Sequence, residues 1–306
     1  MNEEAIRAEN LTMSFGDKPA VDSLHLDVKR GELFGLVGPD GAGKTTVMRL
    51  LATLLKPSSG EAFVAGHSVL TEAEKIKEKI GYMSQRFGLY EELSVDENIN
   101  FYADLYDVSG KERADRIDRL LGFSNLTPFR DRPAGKLSGG MKQKLGLACA
   151  LIHTPEVLLL DEPTNGVDPV SRRDFWRILY GLLKDKVTIF VSTSYLDEAE
   201  RCSRIALMHG GKILANNTPL QVKRSISFPM IEIWCEYPRS AADAVRNLTG
   251  VSSVNVYGDR LHVEVDSESR MDELIAALQR ESIGFKEHRR ILPSIEDIFI
   301  SMVEKR

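Results

Sequence analysis

The chain has 306 residues, 42% apolar and 28% charged, which is ordinary globular usage and excludes a disordered or fibrous polymer. Its longest stretch free of Asp, Glu, Lys and Arg, Asn247 to Gly258, is about a dozen residues, whereas a membrane-spanning helix needs about twenty apolar ones. A net charge of −5 supplies no basic surplus for phosphate backbones, so no nucleic-acid partner is expected.

The first residues, MNEEAIRAEN, carry Glu3, Glu4, Arg7 and Glu9 where an export signal needs a basic start and an apolar run. The chain is therefore expected to stay in the compartment where it is made. Residues 1 to 35 alternate polar and apolar positions around Gly16-Asp17-Lys18-Pro19, which predicts antiparallel strands. Leu33 to Val37 is a short apolar strand, a glycine-rich turn follows, and Thr45 to Leu55 reads as a helix stopped by Lys56-Pro57. From Val95 to Leu121 apolar residues recur at helical spacing with a break at Gly110, the pattern of a helical insertion. Met141 to Ile152 continues as helix, Val157 to Leu160 as a buried strand, Ser171 to Leu183 as helix and Val187 to Val191 as a β-branched strand. Apolar strands alternating with helices predict a mainly parallel sheet covered on both faces.

The pattern changes after Asn216-Asn-Thr-Pro219. Met230 to Glu236 alternates as a strand, Ala241 to Leu248 is helical, and Val251 to Tyr257 pairs with Arg260 to Val265 across Gly258-Asp259. Met271 to Arg280 is a helix, Phe285 to Ile291 a strand and Ser294 to Val303 a last helix. This β-α-β-β-α-β order predicts a separate α+β unit. Cys149, Cys202 and Cys235 lie far apart with no C-x-x-C pair, which suits a reducing compartment and casts each as a buried small apolar residue.

Gly38-Pro39-Asp40-Gly41-Ala42-Gly43-Lys44-Thr45 fits the phosphate-loop pattern G-x-x-x-x-G-K-[ST] and sits between a strand and a helix, as its mechanism requires. Its glycines let backbone N–H groups turn toward phosphates, the helix N-terminus adds positive dipole, and Lys44 adds a point charge. Thr45 is a candidate magnesium ligand. The strand Val157 to Leu160 ends in Asp161 and Glu162. Asp161 is a candidate to hold magnesium, and Glu162, with no metal to serve, a candidate to orient or deprotonate an attacking water. Ser138-Gly139-Gly140 opens another helix with small residues, a second anion cradle where one nucleotide needs only one. Two chains meeting head to tail, each sealing the other's nucleotide, would use both; Ser138 would also cap its helix.

In this order the residues resemble the nucleotide-binding subunits of ABC transporters over about residues 5 to 222. The resemblance implies a P-loop NTPase of the α/β class with antiparallel β and helical subdomains. The ATP-binding domain would be residues 1–224, its helical subdomain about 87–155, and residues 225–306 a ferredoxin-like α+β accessory domain. It implies that residues 38 to 46, ending in Thr46, form the Walker A loop, that Phe15 stacks on adenine, and that Gln85 contacts the magnesium or the water. It casts Ser138, Gly139 and Gly140 as the signature loop gripping the γ-phosphate of the opposite chain's ATP, Asp161 and Glu162 as the Walker B pair, and Gly166 to Pro169 as the D-loop. Ser194 is a departure: the family usually carries histidine there. Serine is shorter and has no ionisable nitrogen. That predicts a site that binds ATP and turns it over slowly, or one whose activity survived the change.

The phosphate-loop, signature and Ser194 segments look most like bacterial export ATPases of the YbhF type. That likeness implies ATP and Mg2+ as ligands, a second ATP-binding subunit, identical or different, an ABC-2 type transmembrane permease, and a place at the inner face of the cell membrane. A non-transport ABC protein working on ribosomes or DNA is the competing reading, but it calls for paired cassettes or a long coiled-coil insertion. A regulatory ATP-binding partner with negligible hydrolysis is the third.

Overall fold

Strands β1 (Glu4–Phe15) and β2 (Lys18–Lys29) pair antiparallel across Gly16, whose φ of 63° is a left-handed conformation that costs glycine no Cβ clash. Their alternation buries Ile6, Ala8 and Leu11 on one strand and Val21, Leu24, Leu26 and Val28 on the other. With β4 (Ser59–Val64) and β5 (His67–Ser68) they form a four-stranded antiparallel sheet in the order β2-β1-β4-β5. The computed structural model describes residues 3–85, 88–225 and 228–304. The chain divides into two compact units, Met1–Asn216 and Asn217–Arg306.

The second sheet of the first unit runs in the order β10-β9-β3-β8-β7-β6. Its strands are β3 (Leu33–Val37), β6 (Ile80–Met83), β7 (Val157–Asp161), β8 (Thr188–Thr193), β9 (Arg204–His209) and β10 (Lys212–Asn217). β3 lies parallel to β8 and β9, and β7 parallel to β6 and β8. Every residue of β3, β7 and β8 is buried, as expected of parallel strands covered on both faces. Helix α1 (Lys44–Leu51) joins residues of β3, β7 and β8 with the antiparallel sheet in one core, and α6 (Pro169–Lys184) packs against β8. The carboxyl ends of β3, β7 and β8 are thereby brought side by side, where open α/β sheets bind ligands.

Between β5 and β6 lies α2 (Ala73–Lys79). The helical insertion is α3 (Val95–Leu105), α4 (Gly110–Phe123) and α5 (Gly139–Leu151), sharing a core of Val95, Ile99, Ile117, Leu121, Leu145 and Cys149. Ser94 and Glu97 cap α3 reciprocally. The expected start of this insertion, residue 87, lies outside the described residues.

The second unit holds α7 (Pro219–Arg224), β11 (Met230–Cys235), α8 (Pro238–Arg246), β12 (Val251–Tyr257), β13 (Arg260–Val265), α9 (Met271–Arg280), β14 (Phe285–Ile291) and α10 (Ile295–Glu304). Its sheet is antiparallel in the order β12-β13-β11-β14, the ferredoxin-like arrangement. The unit begins at Asn217 rather than residue 225, because α7 packs on α10. All three cysteines are free and buried. Among the described residues no helix is long and apolar enough to cross a membrane.

In this unit His262 Nδ1 lies 2.8 Å from Asp297 Oδ2, and its Nε2 lies 3.4 Å from Glu232 Oε2. Burial alone would push the imidazole's pKa down, but the two carboxylates outweigh it and hold it above the ordinary 6.5. For Asp297 burial pushes upward, and His262 and Ser294 prevail, leaving it below 3.8. The raised histidine stabilises the fold below its unfolded pKa and loses that contribution as pH rises through the folded value. The depressed aspartate contributes above its unfolded pKa and loses its share as pH falls. Hydrogen-exchange protection of α10 should therefore be greatest between roughly pH 4 and 6.5 and decline as pH rises above 6.5, with His262→Gln flattening the decline. A wild-type profile that is flat above pH 6 would contradict this.

Candidate functional site

The phosphate loop leaves β3 at Val37 and enters α1 at Lys44. Gly38 N–H donates to Thr193 O at 3.2 Å and Ala42 N–H to Pro39 O at 3.2 Å. Two glycines are sterically required. A Cβ on Gly38 would fall 2.1 Å from Met208 O, and one on Gly43, which has φ of 109°, would fall 2.2 Å from Ala20 O. A cleft of about 280 Å3 opens beside the loop, lined by Asp40, Gly41, residues 43–46, Ala20, Gln85 and Glu162.

Lys44 is 3% exposed, and its Nζ donates to Gly38 O at 2.8 Å and Pro39 O at 3.0 Å. It also forms an ion pair of 2.9 Å with Glu162 Oε1, itself 6% exposed. The other Glu162 oxygen accepts from Gln85 Nε2 at 3.0 Å and from Asn165 Nδ2 at 3.2 Å. Glu162 has φ of 48°, a left-handed conformation that strains a non-glycine residue and clusters at functional sites. The Ser192 hydroxyl and carbonyl accept from Glu162 N–H at 3.0 and 3.2 Å and hold it there.

Asp161 Oδ1 accepts from Ser192 Oγ at 2.7 Å and Thr45 Oγ1 at 3.2 Å. Its Oδ2 is buried with no hydrogen-bond partner. Burial raises the Asp161 pKa and the two hydroxyls oppose the rise. A buried carboxylate oxygen without a donor, next to a threonine hydroxyl at the mouth of a phosphate loop, is the donor set a hard divalent cation requires.

The fold thus gathers the phosphate loop, Gln85, Asp161 and Glu162 at the carboxyl ends of one sheet's strands. It does not bring every predicted site residue there. Phe15, at the end of β1, is 56% exposed, and Ser194 is half-buried just beyond β8. Neither lines the cleft, and nor do Ser138, Gly139 and Gly140. Ser138 and Gly139 are exposed at the start of α5, where Ser138 Oγ accepts from Met141 N–H at 3.3 Å. Gly140 is buried and has a packing duty: a Cβ there would fall 2.4 Å from Ser171 Cβ on α6. In the predicted D-loop, Asp168 Oδ1 caps α6 by accepting from Val170 and Ser171 N–H at 3.1 and 3.0 Å.

Sequence reasoning did not single out Asn165, Ser192, Thr193 or Glu198. Asn165 and Ser192 touch Glu162 directly, and Glu198 accepts from Thr193 Oγ1 at 2.7 Å. A signal was present for two of them, since Ser192 and Thr193 follow the apolar run Ile189 to Val191 within a buried strand. A polar side chain there must find a partner.

A family profile described as ABC transporter matches residues 21–165, and one described as the C-terminal domain of DrrA1-3-like ATP-binding proteins matches residues 218–303. The chain is 44% identical over 308 residues to the probable multidrug ABC transporter ATP-binding protein YbhF of Escherichia coli (strain K12), covering 99% of this chain and 53% of that protein. It therefore spans about half the length of that relative. It is 34% identical to the daunorubicin resistance ATP-binding protein DrrA2 of Streptomyces coeruleorubidus, covering 100% of this chain and 97% of the relative. It is 36% identical to the Nod factor export ATP-binding protein I of Sinorhizobium fredii, covering 97% and 85%. Among solved structures, an ATP-binding subunit of an ABC transporter superposes with a TM-score of 0.66 at 27% identity, over 72% of this chain and 92% of that one. A dimeric bacterial ABC transporter cassette superposes with a TM-score of 0.64 at 29% identity, over 70% and 98%.

Proposed function

The chain belongs to the ATP-binding subunits of export-type ABC transporters, with a DrrA-type C-terminal domain, and from that premise we propose that it is the motor of an exporter. It binds MgATP, pairs with a second ATP-binding subunit around the nucleotide, and drives a separate transmembrane permease from the inner face of the membrane. The observation that carries the reading is the placement of Glu162. Its carboxylate sits between Lys44 of the phosphate loop and the amides of Gln85 and Asn165.

In this reading the β- and γ-phosphates dock on the N–H groups of residues 41 to 46 and draw the Lys44 ammonium toward them. That frees Glu162 Oε1 to accept a proton from the attacking water. The water oxygen bonds to the γ-phosphorus, the bond to the β-phosphate oxygen breaks, and ADP and phosphate leave. Gln85 and Asn165 keep the carboxylate aimed. Thr45, Asp161 and Gln85 would hold magnesium, which when bound neutralises phosphate charge. Phe15 supplies an exposed ring for the adenine. Ser138 and Gly139 are exposed at a helix start, and with the buried Gly140 behind them they supply the partner's nucleotide with a second cradle. ATP binding favours the closed pair because it engages both cradles there, the differential affinity a motor requires.

Ser194 holds the position that histidine occupies in the family. With no imidazole to donate toward the γ-phosphate, the transition state loses one preorganised contact, a loss worth about a hundredfold in rate where such donors have been removed. Turnover by the purified chain is accordingly expected to be slow, and Ser194→His to raise kcat at least about tenfold with little change in KM. Brisk wild-type turnover that Ser194→His leaves unchanged would remove this part of the reading.

A further inference from the structure

Glu198 sits in a 3-10 turn, Leu196–Arg201, and its side chain is 0% exposed. Burying a carboxylate is costly unless every oxygen is well paired, and here the pairing is divided among three separate segments. Oε1 accepts from Thr164 Oγ1 at 2.8 Å and from the Trp176 indole N–H at 3.0 Å. Oε2 accepts from Thr193 Oγ1 at 2.7 Å. Thr164 lies two residues after Glu162, and Thr193 immediately precedes Ser194. Thr193 Oγ1 in turn accepts from Tyr195 N–H at 3.0 Å, so Ser194 is held from both sides. On α6, just past the Asp168 cap, Arg172 places its guanidinium 4.0 Å over the Tyr195 ring and its Nε 3.7 Å from Glu198 Oε1.

We propose that Glu198 is a positioning residue for the hydrolytic step: one carboxylate ties the segment after Glu162 to the segment bearing Ser194, fixing their separation as ATP arrives. The proposal rests on the hydrolytic reading of Glu162. A residue needed only for packing would be served as well by an apolar side chain of similar volume. What an apolar side chain cannot do is hold two hydroxyls, one on each segment, at fixed distance. Misplacing a reacting group by about an ångström is enough to slow chemistry a hundredfold.

The test uses the full chain and three readouts: kcat, ATP affinity measured by equilibrium binding, and the thermal unfolding midpoint. Thr164→Val and Thr193→Val each cut one arm of the tie while conserving shape. Each is expected to lower kcat about tenfold with ATP affinity unchanged. Because cutting either arm already breaks the tie, the double variant should also lie about tenfold below wild type, not a hundredfold. Glu198→Ala should behave like the double variant, and Glu198→Gln, which keeps an acceptor and the side-chain shape, should recover most of the rate. Multiplicative losses in the double variant, or rates that simply follow the unfolding midpoint, would overturn the proposal in favour of a purely structural role. A wild-type chain that binds ATP and never hydrolyses it removes the hydrolytic reading, and this one with it; normal wild-type turnover unaffected by cutting either arm removes this one alone.

Discussion

Glu162→Gln is expected to reduce ATP turnover by roughly a thousandfold while leaving ATP affinity equal or higher. Glutamine preserves the shape and keeps an oxygen that can accept from Gln85 and Asn165, so the left-handed turn anchored by Ser192 should persist. It cannot take a proton from water, and that removes the proposed base. It also ends the 2.9 Å ion pair with Lys44, so the ammonium meets the incoming phosphates without first leaving a carboxylate. Phosphate release in steady state and equilibrium ATP binding, measured on the same preparation, check the two halves. Turnover retained within a few-fold would mean that Glu162 is not the base. Loss of binding together with turnover would mean that the substitution disturbed the loop.

Lys44→Ala should have the largest effect on both stability and binding. Removing the ammonium takes the counter-charge from the Glu162 carboxyl, which is 6% exposed and keeps the neutral amides of Gln85 and Asn165 beside it. Breaking one side of a buried pair costs about 3 kcal/mol, and the same substitution strips the phosphates of their point charge. ATP affinity is expected to fall at least about a hundredfold. The double variant Lys44→Ala, Glu162→Gln separates the effects, because it has no orphaned charge: its urea unfolding should return close to wild type while ATP affinity stays low. Recovery of affinity in the double variant, or no loss of stability in the single one, would contradict the assignment of Lys44.

The residues named here were legible to different degrees. Wherever a strand is buried on both faces, as in Leu33–Val37 and Val157–Asp161, the apolar run is unmistakable and the adjoining phosphate loop and carboxylate pair can be placed at its ends. The hairpin through Gly258 and the helix Met271–Arg280 were equally plain. Strand β6 was not legible, because it is four residues long and its Gly81 exists to admit Ala150 O, which a Cβ would meet at 2.4 Å. The half-exposed edge strand Lys212–Asn217 has no clean alternation to read. Helix α7 is only six residues long and owes its place in the second unit to packing on α10.

What the amino-acid sequence determined alone is the set of local patterns whose chemistry depends on spacing: a strand, a glycine loop and a helix for phosphate, two acids after a strand, and small residues opening a second helix. Each of these is specified within one short run of consecutive residues, since backbone conformation and hydrogen-bond capacity are local properties. Only the tertiary structure decided which distant groups meet. Parallel pairing of β7 with β8 sets Ser192 beside Asp161 and Glu162. Close approach of α5 to α6 requires Gly140. Folding of the 196–201 turn buries Glu198 between Thr164 and Thr193. Apart from Glu198 with Thr193, such meetings join residues 30 or more positions apart through sheet register and helix packing, and no local spacing encodes them.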